Sequence, residues 1–438
     1  MAPNEHATTT APEEFEVLHQ NVENPKNSKA QIVSAEQYSL LARPEKPRFD
    51  KGRAISRQIM AAAFASLSSV SIGFITSYSS LTLQQLRNDT SLDYVDSRDS
   101  GWIVVVVSYI IGIQRALSAL SRFPHLLIVV SLLREVYATE IAEPQIRGLM
   151  GAFPEAAVAL GSLLCYGFGA VVDWRWLAIL SAVVPGVPLF LRCPAARVHH
   201  AIKRKTIASE VIQKPQNWKP VLVVFLVFIC GQFSGFAVVT AYTVDIFNEA
   251  STNLDPNTAT VIVGIVRFIA TLVSAVLLDR VGRKPLLIIS AIGSSVGMVS
   301  IGAFFYLKAT GQAEGFGLLP LASLLVYVFF NELGYGPIPW LLSGELIPLA
   351  VRTIGNGVAV TAYSLAAFII GLTFPYLTAL MSSYIVFWLY ALFSLSGVFL
   401  GVFLPETRGK TLEEIEKFFI PKNPTKNPTE FKKLSNAC

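Results

Sequence analysis

Long apolar runs separated by short polar segments follow one another from Ile55 to Leu404. A run of about 20 apolar residues is enough to cross a bilayer as a helix. The pattern predicts spans over Ile55–Ser80, Leu149–Val172 and Leu177–Leu191, with one crossing between Gly101 and Tyr137. After a polar break it predicts Val221–Phe247, Val261–Leu278, Pro285–Leu307, Phe316–Leu342, Ile354–Leu380 and Tyr384–Leu404. Gly101–Tyr137 is irregular, because Arg115, Arg122 and His125 interrupt it. Two crossings there would invert the orientation of everything downstream, so a single one is counted. The prediction is an all-α polytopic membrane protein of about 10 crossings, four before the polar break and six after it.

The polar segments set the boundaries and the orientation. Residues 1–53 are polar, mixed in charge and without a signal-peptide pattern, and read as a disordered cytoplasmic tail. Residues 54–191 form an N-terminal transmembrane bundle and 192–219 a linker. That linker carries Arg192, Arg197, Lys203, Arg204, Lys205, Lys214 and Lys219 against the single acid Glu210. Lysine and arginine mark cytoplasmic loops, so the linker lies inside, as does the N-terminus beside Lys51, Arg53 and Arg57. Residues 220–404 form a C-terminal six-helix bundle and 405–438 a cytoplasmic tail. The loop Leu81–Ser100 falls outside and holds the sequon Asn88-Asp89-Thr90, which makes Asn88 a glycosylation candidate.

Composition agrees with this and removes other classes. Hydrophobic residues make up 53% of the chain and charged residues 15%, against about a quarter charged in soluble proteins. The net charge of +5 belongs to cytoplasmic loops, and no basic, aromatic-interleaved patch suggests nucleic acid. Cys165, Cys193, Cys230 and Cys438 have no paired spacing, so neither a disulfide frame nor a metal site is indicated. No nucleophile–base set or phosphate loop is visible, and neither an enzyme nor a cofactor is expected. The expected partners are a small solute and membrane lipid, with no obligate protein partner.

One span contains its own break. Asn331-Glu332-Leu333-Gly334-Tyr335-Gly336-Pro337-Ile338-Pro339-Trp340 lies within the run Phe316–Leu342. Pro337 and Pro339 lack an N–H, and with Gly334 and Gly336 they cannot continue a regular helix. In lipid, a broken helix survives only where protein or a water-filled cavity covers it. Glu332 and Trp340 set a carboxylate and an aromatic plate at its two ends, which makes this a candidate hinge beside a binding site. Glu155 and Arg267 are charges at mid-span depth, where charge is costly and usually functional. Both are expected to face a central cavity, one from each bundle, where they approach each other, share a water network or are separately hydrated.

Several ordered motifs resemble the sugar porter family of the major facilitator superfamily, in its glucose-facilitator branch. Asp279-Arg280-Val281-Gly282-Arg283-Lys284 matches the superfamily's D-R-x-G-R-[RK] turn. Val136-Tyr137, Glu140, Pro144, Arg147-Gly148, Trp174-Arg175-Trp176, Gln232-Phe233-Ser234-Gly235, Gly336-Pro337-Ile338-Pro339-Trp340 and Pro405-Glu406-Thr407-Arg408-Gly409 occur in the expected order. The resemblance implies a two-bundle fold, with a sugar bound midway between the halves and alternating access. It implies that Gln232 hydrogen-bonds sugar hydroxyls, Trp340 stacks on the ring or lines the inner exit, Glu332 lies near the sugar, and Tyr242 belongs to the outer gate. A cytoplasmic latch would join Asp279, Arg280, Gly282 and Arg283 to Glu345 and Arg352, with Glu140 and Arg147 from the other half.

The chain also departs from the family. The first-half copy of the turn is absent, together with a span pair. Gly231 replaces a glutamine and Ala237 an asparagine, while Arg267 stands for an asparagine and Glu155 for a glutamine. The first span has no acid in Gly73-Phe74-Ile75-Thr76-Ser77, which favours facilitated diffusion over proton coupling. The expected activity is facilitative transport of a hexose or of trehalose at the plasma membrane. The alternatives are a carrier of another polar or anionic solute, suggested by Arg267, and a non-transporting sensor or truncated product, suggested by the short first half.

Overall fold

The computed structural model describes residues 66, 69–82, 85, 147–183, 215–250, 254–348, 351–410 and 412–419. Helices account for the regular structure among these, and no strand occurs in them. The first, α1, covers 69–82. Then come α2 (Arg147–Gly169), α3 (Trp174–Val183), α4 (Pro215–Gly231), α5 (Ala237–Ala250) and α6 (Pro256–Arg280). They are followed by α7 (Arg283–Ala309), α8 (Leu319–Leu333), α9 (Pro337–Glu345), α10 (Arg352–Met381), α11 (Ser383–Phe403) and the short α12 (Leu412–Glu416). Seven helical stretches among the described residues are long and apolar enough to span a bilayer. They are Gly148–Gly169, Pro215–Ala250, Pro256–Arg280, Arg283–Ala309, Leu319–Glu345, Ile354–Met381 and Ser383–Phe403. The expected crossing in Gly101–Tyr137, the tail 1–53 and most of the linker 192–219 lie outside the described residues.

These helices bury their small and polar faces and show their large apolar ones. On α7, Ser290, Ala291, Ser294 and Met298 are buried, whereas Ile289, Ile292, Val296 and Val299 are exposed. Lipid is as apolar as leucine, so close packing and interhelical hydrogen bonds hold such a bundle together. Ser295 Oγ on α7 donates to Ala391 O on α11 at 3.0 Å, and Ser394 Oγ donates back to Ala291 O at 3.3 Å. On the first-half side, α1 crosses α2 with the backbones almost touching. A Cβ on Gly73 would lie 1.8 Å from Val158 O, and one on Gly161 2.0 Å from Val70 O. Any larger residue at either position would force these two helices apart.

The helix ends follow local chemistry. Asp255 caps α6, its Oδ2 accepting from Thr258 N at 2.9 Å, with Pro256 at the first helical position. The chain reverses from α6 into α7 through Gly282 at φ 105°, a conformation that favours glycine. One feature went unforeseen in the sequence. Between α4 and α5 the backbone makes a π-helical turn over Gln232–Phe236, with Gly235 at φ 96°. The whole stretch Pro215–Ala250 is therefore one spanning element with a bend at its centre. Such bends often sit at functional sites.

Candidate functional site

The break in the span Leu319–Glu345 is real and its backbone is accounted for. α8 ends at Leu333 and α9 begins at Pro337. The Leu333 carbonyl accepts from Ser274 Oγ at 2.7 Å, and Tyr335 N donates to Ser290 Oγ at 3.1 Å. Gly334 N and Gly336 N both donate to Asn331 O, at 3.3 and 3.0 Å. Serines on α6 and α7 thus replace bonds that a regular helix would have made, as burial in lipid demands. A Cβ on Gly334 would lie 2.6 Å from Ser290 Cβ and 2.9 Å from Leu286 O. Gly334→Ala is therefore expected to cost about 1–3 kcal/mol through overpacking. The check is the thermal midpoint of the purified protein in detergent. Gly167→Ala is the control, because no described residue lies within 4 Å of a Cβ there.

The break borders a small cavity. Glu155 of α2, Gln232 and Phe236 of the π turn, Asn331, Gly336, Pro339 and Trp340 contribute to its wall. Phe228 and Tyr363 line it too, and both pack edge-on against Trp340, with centroids at 4.8 and 5.3 Å. Aromatic faces beside a few polar groups suit a ring with polar substituents. Gln232 is buried, and its Oε1 has no hydrogen-bond partner among the described residues. A buried unpaired amide oxygen is costly unless a ligand or water meets it.

Behind this wall lies a buried charge cluster. Arg267 Nε donates to Glu332 Oε1 at 2.6 Å, Nη1 to Ser162 Oγ at 2.9 Å and Nη2 to Glu155 Oε1 at 3.4 Å. Its guanidinium also stands over the Phe236 ring, 4.9 Å from the centroid. Glu332 Oε2 accepts from Thr271 Oγ1 at 3.3 Å. The structure therefore brings Arg267 and Glu155 together across α6 and α2, but Glu332 is the shorter and more deeply buried partner. Arg267 and Glu332 do not line the cavity, whereas Glu155, Gln232 and Trp340 do. The reason is electrostatic: a buried guanidinium gains most by turning into two carboxylates and a hydroxyl. Tyr242 is buried further along α5, its hydroxyl donating to Gly371 O at 2.9 Å and its ring against Phe374.

The α6–α7 turn forms a second polar cluster. Arg283 is 1% exposed; its Nη2 donates to Glu345 Oε1 at 2.9 Å and its Nη1 contacts Asp279 Oδ1 at 3.4 Å. Thr407 Oγ1 donates to Glu345 Oε2 at 2.6 Å. Asp279 reaches the other half, where it accepts from Gly148 N and Leu149 N at 3.0 and 2.9 Å and so caps α2. Arg280 is exposed, and Arg352 donates from Nε to Ile347 O at 3.1 Å. Glu140 and Asn88 lie outside the described residues, as does the side chain of Arg147.

Sequence reasoning missed Asn331, Phe228, Phe236 and Tyr363 on the wall, and Ser162 and Thr271 around Arg267. Asn331 carried a signal, being a polar residue next to Glu332 inside an apolar run. The aromatic residues carried none, since in lipid they read as ordinary span residues.

A multi-pass helical bundle with a central cavity beside a broken helix is the architecture of a membrane carrier. The chain matches the family "Sugar (and other) transporter" over residues 194–419. It is 31% identical over 441 aligned positions to the facilitated trehalose transporter Tret1 of Apis mellifera ligustica, covering 83% of this chain and 88% of that one. It is likewise 31% identical over 443 positions to Tret1 of Culex quinquefasciatus, covering 82% and 85%. A crystal structure of a double-Trp mutant of XylE shares its fold, with a TM-score of 0.68 at 24% identity over 83% of this chain and 99% of that one. The protein belongs to the sugar transporter family, the sugar porters of the major facilitator superfamily.

Proposed function

We propose that the protein is a facilitative carrier of a neutral sugar, a hexose or the disaccharide trehalose, working by alternating access in the plasma membrane with both termini cytoplasmic. It is read as a carrier and not as an enzyme. The observation that carries the substrate reading is the division of labour between Gln232 and Arg267. The Gln232 amide oxygen has no partner among the described residues, whereas the Arg267 guanidinium is held by Glu332, Glu155 and Ser162. An amide can meet a hydroxyl as donor or acceptor, which suits a polyol. A guanidinium already shared by two carboxylates has little attraction left for an anion, so the structure favours a sugar over an anionic solute. The relatives named as facilitated trehalose transporters support the same reading and put trehalose first among the sugars to test.

In this reading Gln232, Trp340 and Glu155 contact the sugar. Gly334, Gly336, Pro337 and Pro339 form the hinge. Asp279, Arg283 and Glu345 close the cytoplasmic side by joining α6 and α7 to α9 and to the start of α2. Uptake of radiolabelled trehalose and glucose into cells that lack their own carrier tests the function. Saturable uptake, competed by unlabelled sugar and unaffected by organic anions, is expected; competition by anions alone would defeat the proposal. Acidifying the outside with equal sugar on both sides should drive no net uptake, because diffusion through a uniporter follows only the sugar gradient.

A further inference from the structure

Asn331 lines the cavity, and its side-chain amide is held by two hydroxyls. Its Nδ2 donates to Ser234 Oγ at 3.2 Å and to the Tyr327 hydroxyl at 3.3 Å, and all three residues are buried. The direction of these bonds is fixed by one atom. Ser234 Oγ lies 2.6 Å from the Gly231 carbonyl, which can only accept, so the single hydroxyl hydrogen of Ser234 goes there. Toward its other neighbours Ser234 can only accept. The Tyr327 hydroxyl, 3.2 Å from Ser234 Oγ, must then be the donor of that pair, and its oxygen is left to accept from Asn331. With both hydroxyls accepting, Asn331 must present its NH2 group to them. A flipped amide would set its oxygen against Ser234 Oγ and leave the one Tyr327 hydrogen to two acceptors, in a buried site where an unmet polar group is costly. The remaining polar atom of this cavity-lining side chain is Oδ1, an acceptor that cannot exchange places with a donor.

We propose that Asn331 is a specificity-determining residue for the sugar: its Oδ1 accepts from one ring hydroxyl, and Ser234 and Tyr327 are positioning residues that hold the amide so that only a donor satisfies it. The inference rests on the sugar-carrier reading above. It distinguishes Asn331 from Gln232, for which no hydrogen bond fixes which end of the amide meets the ligand.

The test uses D-glucose with its monodeoxy and monodeoxyfluoro analogues, because fluorine keeps the size of a hydroxyl but cannot donate. Equilibrium binding to the purified full chain and uptake in carrier-free cells are measured side by side. In the unaltered protein, one ring position is expected to show a loss on the order of 3–10-fold for both the deoxy and the fluoro sugar, the value of one hydrogen bond. In Asn331→Leu that loss should fall below about twofold, because the acceptor is gone. Tyr327→Phe keeps Asn331 but removes one of the two acceptors that lock it. There the fluoro sugar should regain affinity while the deoxy sugar does not, since a freed amide can offer N–H to fluorine. A purely structural role for Tyr327 would weaken both analogues alike, and this readout serves even if Asn331→Leu fails to fold. Sugar binding or uptake with an unchanged analogue pattern in both variants overturns the inference and leaves the carrier reading intact. The predicted pattern in binding without any uptake upholds the inference and removes translocation. No binding of any sugar overturns both.

Discussion

Arg267→Met is expected to remove most of the protein from the membrane of an expressing cell. The substitution keeps the apolar length of the side chain and deletes only the charge. Glu332 is 0% exposed, and Glu155 lies beside it on the same guanidinium. Breaking a buried pair by removing one partner costs about 3–5 kcal/mol, because the remaining charge stays buried and unmatched. Here the arginine serves two carboxylates at once, so its loss is the most damaging single change available to the cluster. The acids should not be equal. Glu332→Gln is expected to cost more than Glu155→Gln, because Glu332 sits at 2.6 Å and is sealed, whereas Glu155 sits at 3.4 Å and lines the cavity. Surface abundance and the thermal midpoint of the detergent-purified protein would show the order. Neutralising all three together with Arg267→Asn, Glu155→Gln and Glu332→Gln should restore much of the stability lost by the arginine change alone. If Arg267→Met proves as stable as the parent, the cluster does not hold the bundle together.

Arg283→Ala is the second large effect expected. The side chain is 1% exposed and ties Glu345 at 2.9 Å, the Leu278 carbonyl at 3.0 Å and Asp279 at 3.4 Å. Its removal takes the Arg283 guanidinium from Glu345, which stays buried beside Thr407, again a change of about 3–5 kcal/mol. The location gives this change a second consequence that Arg267→Met lacks. Asp279, no longer held by Arg283, also caps the first turn of α2 through Gly148 N and Leu149 N. Loosening Asp279 weakens the contact between the two halves at this end of the molecule. Labelling of a cysteine introduced in the first turn of α2, near Gly148, should rise in Arg283→Ala at temperatures where the fold persists. Unchanged labelling together with unchanged stability would show that the contact is incidental.

The sequence carried the outline of this site but not its wiring. The broken helix was legible because two prolines and two glycines inside an apolar run admit no other reading in lipid. Gly282 was legible as a reversal for a similar reason, and its φ of 105° bears this out. The mid-span charges were legible because lipid makes each of them costly. What they do with one another was only half visible. For Arg267 and Glu155 the sequence left a direct pair, a shared water network and separate hydration open; the structure pairs them, and nothing in the sequence pointed to Glu332 as the shorter partner. The π turn at Gln232–Phe236 was not legible at all, since its residues suit an α-helix nearly as well.

By itself, then, the sequence determined the class of molecule, the spans now seen as helices, the break and the order of family motifs. Each of these is set within one segment, where lipid imposes a separate demand on every run of residues. Only the tertiary structure decided which polar groups share a site. Arg267 is 112 residues from Glu155 and 65 from Glu332, and Asn331 is 97 from Ser234. Pairings at such separations depend on how the helices rotate and cross, which small residues and hydrogen bonds settle together over the whole bundle. The same holds for the amide of Asn331, whose direction follows from one serine hydrogen on another helix.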